Sequence, residues 1–95
     1  MKAMRFYAPE DVRLEEVAAP GIGPDEILVK VGIVLTCGTD VKIYRRGHPM
    51  VKPPLIIGHE FAGVVSAVGT NVTQFETGQR VVAANSAPCN VCYFC

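Results

Sequence analysis

Residues 58–69 read GHEFAGVVSAVG. The valines and Phe61 favour a strand, and Gly58, Gly63 and Gly69 mark places where it can bend or admit another backbone. One long, bent, buried strand is expected here. On its N-terminal side lies a comparable run, DEILVKVGIVLTC at 25–37, entered through the breaker PGIGPDE at 20–26. Strict alternation would put Ile27, Val29 and Val31 on one face and Leu28 and Lys30 on the other. On its C-terminal side GQRVVAA, 78–84, forms a third strand after a glycine turn at ETGQ. Two shorter runs, MKAMRFY at 1–7 and VRLEEV at 12–17, flank the turn signal APED. Only TDVKIYRRG, 39–47, invites a helix, with Thr39 or Asp40 as its cap and Gly47 as its stop. HPMVKPPLI at 48–56 is expected to be irregular, because Pro49, Pro53 and Pro54 interrupt it. Several strands and one short helix predict a mainly β domain, a Greek-key barrel or sandwich.

Ninety-five residues suit one small domain. The composition, 49% hydrophobic and 19% charged, is that of a globular chain. Nine Lys and Arg balance nine Asp and Glu, so no bulk field favours nucleic acid or a membrane surface. No apolar run approaches the ~20 residues needed to span a bilayer. The N-terminus lacks the long apolar core of a secretory signal. A reducing, cytoplasmic setting is therefore expected, where clustered cysteines favour metal over disulfides.

The chain closes on PCNVCYFC, 88–95. Cys89, Cys92 and Cys95 can fold toward one point, and thiolates hold zinc at ~2.3 Å in a tetrahedral cage. A mobile loop of reduced thiols, one redox disulfide or an iron–sulfur site are the competing readings. A second group of donors is CGTD at 37–40 with the His59 and Glu60 of GHE. One sulfur, one imidazole and nearby carboxylates suit a catalytic zinc with a position left open. Taken singly, Cys37 would be a small buried hydrophobe and His59 a structural histidine. Asp40 and Thr39 would be helix caps. Adjacent strand residues point to opposite faces, so His59 and Glu60 can share a site only if the strand is distorted there.

In order, TCGTDVKIY, PLIIGHEFAGVVSAVG, GQRVV and the C-x2-C-x2-C run resemble the zinc-dependent medium-chain alcohol and polyol dehydrogenases. The resemblance covers essentially the whole chain, and G-H-E-x-x-G preceded by CGTD is its most specific part. It implies a GroES-like barrel, incomplete here. Residues 1–95 would be the N-terminal part of that catalytic domain, cut within the lobe that holds a structural zinc. Cys89, Cys92 and Cys95 would be three of that zinc's four ligands. Cys37 and His59 would hold the catalytic zinc, a Lewis acid toward the alcohol oxygen of a small-molecule secondary alcohol or polyol whose hydride goes to NAD(P). Thr39 would hydrogen-bond that oxygen and pass its proton on. Asp40 would accept from the second nitrogen of His59 and fix its tautomer. Glu60 would lie near the metal and coordinate during ligand exchange. A homo-oligomer is expected, through apolar strand edges.

Two departures stand out. Lys42 occupies a position where liver-type relatives often carry a relay histidine, and an ammonium donates but does not accept. No G-x-G-x-x-G opens a helix after a strand, so the NAD(P)-binding Rossmann domain is absent from these residues and the fragment alone is expected to be inactive. His48 and the cations Lys42, Arg45 and Arg46 are read as a solvated surface or as the approach for an anionic substrate. A self-standing zinc-binding barrel module without catalysis is the alternative. A zinc-free quinone reductase relative would leave the donor groups without a shared purpose.

Overall fold

Side-chain periodicity and turn chemistry place six strands and one helix along the chain, and the computed structural model describes all 95 residues. Strands β1 (Lys2–Ala8) and β2 (Asp11–Glu16) form an antiparallel hairpin around Pro9 and Glu10. Glu10 takes the left-handed turn conformation at φ 64°, and a bulge falls between Phe6 and Ala8. Strand β3 (Ile27–Leu35) leads into helix α1 (Gly38–Arg46). A two-residue strand, β4 (Leu55–Ile56), follows the prolines. Strands β5 (Glu60–Val68) and β6 (Arg80–Val82) complete the set.

The strands make two open three-stranded sheets, ordered β2-β1-β4 and β3-β5-β6. The mainly β, incomplete-barrel expectation with one short helix is thus met by sheets that do not close. The radius of gyration is 14.9 Å, against roughly 12.4 Å for a compact domain of this length. Five residues are buried: Phe6, Val65, Ala3, Ile43 and Asp40. The core is therefore thin, and its buried residues fall on β1, β5 and α1. Val31, Ile33, Val34 and Leu35 on β3, and Val82 on β6, remain exposed.

Three details differ from the pattern reading. Leu55 and Ile56 pair with Phe6 and Arg5, because the prolines end at residue 54 and leave both N–H groups free for a ladder. Bulges between Leu28 and Val29 and between Val31 and Ile33 break the strict alternation expected along β3. The helix is capped at Cys37, two residues before the expected Thr39 and three before Asp40, while Gly47 ends it at φ 71° as expected.

Candidate metal centre

Antiparallel pairing brings the donors together. Leu35 at the end of β3 faces Glu60 at the start of β5. Continuing that register sets Cys37 beside Gly58 and His59. Cys37 is extended, at φ −98° and ψ 160°, and begins α1. Its backbone N–H donates to Asp40 Oδ2 at 2.9 Å, which ties the third helical residue back to the cap. His59 precedes the first paired residue of β5 and follows Gly58 at φ 113°. The alternation of a regular strand therefore does not separate His59 from Glu60.

The result is a cluster in which donor atoms of Cys37, His59 and Glu60 lie within 4.8 Å of one another. His59 Nε2 is 4.0 Å from Glu60 Oε1. On the other side of the ring, Nδ1 is 3.3 Å from Asp40 Oδ1. That oxygen is buried and has no hydrogen-bond partner, a costly condition for a carboxylate unless it is directed at a neighbouring donor or cation. Thr39 is exposed, and its Oγ1 lies 3.7 Å from Cys37 Sγ. The contact runs from the thiol to the hydroxyl, and it reverses once the sulfur is a thiolate. The Thr39 backbone N–H, then its hydroxyl and the His59 ring, hold the Cys37 thiol below its ordinary value. Cys37 in turn holds His59 above its ordinary value, against desolvation, with Asp40 and Glu60 adding to the effect.

These residues fit zinc. Sulfur, imidazole and carboxylate are its donor set. The orphaned Asp40 oxygen behind the imidazole is the partner that metal-bound histidines usually keep.

The second cluster lies at the chain end. Cys89 Sγ is 3.4 Å and Cys92 Sγ 3.3 Å from Cys95 Sγ, and the Cys89 N–H donates to Cys95 Sγ at 3.2 Å. Asn90 at φ 60° makes the tight reversal. Thiolates ~2.3 Å from a tetrahedral zinc stand about 3.8 Å apart, so the three sulfurs need only a small outward shift. The Val91 N–H, then the Cys92 and Cys95 thiols, lower the Cys89 pKa to about 6.

A groove of ≈ 400 Å³ beside His59 and Glu60 is lined mainly by Ile33, Leu35, Phe61, Ala62 and Val82. No motif announces it; the β3–β5–β6 register creates it. His48 is exposed in the loop after α1, and its Nδ1 accepts from the Met50 N–H at 3.1 Å. No helix is long and apolar enough to cross a membrane.

Comparison with known proteins gives one consistent answer. The family model described as alcohol dehydrogenase GroES-like domain matches residues 23–95. Sorbitol dehydrogenase of Bacillus subtilis is 39% identical over an alignment of 98 positions that covers all of this chain and 28% of that protein. The zinc dependent alcohol dehydrogenase 2 of Streptococcus pneumonia superposes with a TM-score of 0.88 at 33% identity, over 100% of this chain and 28% of its own. A structure from Escherichia coli CFT073, described as a short chain alcohol dehydrogenase complexed with cofactor NADH, gives 0.85 at 36% identity, over 98% of this chain and 27% of its own. The chain thus spans under a third of the length of the proteins it matches.

Proposed function

The chain belongs to the alcohol dehydrogenase GroES-like domain family, and from that premise we propose that it supplies the metal-holding, alcohol-binding part of a zinc-dependent oxidoreductase. The substrate is a secondary alcohol or polyol, and the hydride acceptor is NAD(P). Cys37 and His59 are the proposed ligands of the catalytic zinc, with Glu60 an exchanging ligand. Cys89, Cys92 and Cys95 are proposed to hold a structural zinc.

One observation carries the reading: the donors of Cys37, His59 and Glu60 gather within 4.8 Å, with a buried, unpartnered Asp40 oxygen behind the imidazole. Zinc held there would act as a Lewis acid on the substrate hydroxyl, as it lowers the pKa of bound water toward ~7. The chain's own residues do the rest. Asp40 Oδ1, 3.3 Å from His59 Nδ1 and otherwise unpartnered, is the acceptor that would take the Nδ1 proton when zinc is held on Nε2, which is the nitrogen on the Glu60 side. The Thr39 hydroxyl, exposed beside Cys37, accepts the substrate's hydroxyl proton and releases its own to solvent. The apolar groove offers Ile33, Leu35 and Phe61 as a surface that orients the carbon skeleton. Relatives that carry the names sorbitol dehydrogenase and L-threonine 3-dehydrogenase support a polyol or a short hydroxy compound as substrate.

The test is NAD(P)-linked alcohol oxidation by the natural protein that carries these residues, before and after chelation. Activity lost on chelation and restored by zinc supports the reading. Full activity in a zinc-free preparation contradicts it.

A further inference from the structure

The segment between the two donor residues Cys37 and His59 carries an unusual charge distribution. It contains Lys42, Arg45, Arg46 and Lys52, and no acidic residue occurs between Asp40 and Glu60. All four cations are exposed, and the ion pairs of the molecule leave every one of them without a carboxylate. The whole chain is neutral, so the concentration is local. Helix-dipole stabilisation accounts for Arg45 and Arg46 in the last turn of α1. It does not account for Lys42 in mid-helix or for the absence of counter-charge.

Helical spacing gives the patch a direction. Asp40 and Ile43 are the buried side of α1. Thr39, Lys42 and Arg46 stand at i, i+3 and i+7 and so share one flank. That flank starts at the candidate site, where Thr39 Oγ1 touches Cys37 Sγ. With a rise of 1.5 Å per residue, Lys42 lies about 4.5 Å and Arg46 about 10 Å farther along the axis. An ammonium and a guanidinium fork together match a phosphate dianion in charge and geometry.

We propose that Lys42 and Arg46, on the flank of α1 that starts at Thr39, bind a phosphate monoester carried by the alcohol substrate, one to two helical turns from the reacting hydroxyl. The substrate class is then a phosphorylated short-chain polyol. Its hydroxyl sits at the donor cluster and its phosphate lies against Lys42 and Arg46. This rests on the dehydrogenase reading above and adds the substrate's charge to it.

The experiment compares D-sorbitol with D-sorbitol 6-phosphate, using the zinc-loaded natural protein. The expected ratio of kcat/KM, phosphate over neutral, is at least about tenfold at low ionic strength and falls as salt is added. Lys42→Gln and Arg46→Gln each lower the ratio about tenfold, while Arg13→Gln, the same charge loss on β2, leaves it unchanged. A ratio near one with zinc-dependent turnover overturns this inference and leaves the dehydrogenase reading standing. A preserved ratio with a raised KM for NAD(P) in the two variants also overturns it, and assigns the cations to the cofactor's phosphates. If neither polyol is turned over, the dehydrogenase reading is what fails, and amide NMR titration with D-sorbitol 6-phosphate decides the anion site. Shifts at Thr39, Lys42 and Arg46 that vanish in Arg46→Gln support it, and their absence overturns it.

Discussion

Asp40 joins two parts of the site with its two oxygens. Oδ2 ties the helix start through the Cys37 N–H, and Oδ1 faces the His59 ring. Asp40→Ala should therefore weaken zinc binding by roughly tenfold to a hundredfold, read by competition with a chromophoric chelator. Asp40→Asn keeps an acceptor for the cap and should lose less. Equal affinity in wild type and Asp40→Ala would refute the role. Cys89 offers a pH test. Its pKa of about 6 means that the folded lobe favours the thiolate. That preference adds stability above the ordinary thiol value of ~8.5, and it is lost as pH falls through about 6. Iodoacetamide labelling of Cys89 in the reduced, metal-free chain should be half-maximal near pH 6; a midpoint near 8.5 contradicts the lobe geometry. Much at this scale was legible in the sequence, because CGTD and GHE place distinctive donor types at short spacing. The cap at Cys37 was not, since cysteine is an uncommon cap and periodicity ignores backbone angles. The His59–Glu60 arrangement depends on the turn at Gly58, which alternation along an ideal strand does not anticipate.

Strand and helix positions followed from composition and breakers, and five of the six strands and the helix lie close to the expected runs. Bulges in β3 and the short β4 did not follow, because both arise from pairing partners distant in sequence. Two glycines show how close that pairing is. A Cβ at Gly63 would run into the Lys30 carbonyl and the Val29 side chain, and one at Gly69 into the backbone of Gly23 and Pro24. The Gly69 N–H also donates to the Glu26 carbonyl at 2.8 Å, and the Asn71 N–H to that of Pro24 at 2.8 Å. Gly69→Ala should thus cost about 1–3 kcal/mol by overpacking against rigid backbone. Gly21→Ala, where nothing lies within 4 Å, should be near neutral. Urea titration of both variants checks the pair; equal midpoints would show that the Gly69 approach does not constrain the fold.

Across the whole molecule, few residues are buried and apolar side chains stay open on β3 and β6. Surface of that kind favours association. Residues 1–95 expressed alone should self-associate in sedimentation velocity and show negligible NAD(P)-linked turnover; a monomer across the concentration range, or robust turnover, would contradict this. Openness was expected from the incomplete barrel that the family resemblance implied, and not from residue pattern. Pattern shows which residues prefer burial, but not how many of the surfaces they prefer lie within the same 95 residues. The proposed chemistry requires Cys37 and His59 to share one metal ion. Its most direct measurement is zinc per chain by mass spectrometry in the natural protein, in Cys37→Ser/His59→Ala and in Cys89→Ser/Cys92→Ser/Cys95→Ser. Each set of substitutions should remove one zinc and leave the other. An unchanged zinc content in Cys37→Ser/His59→Ala would contradict that chemistry.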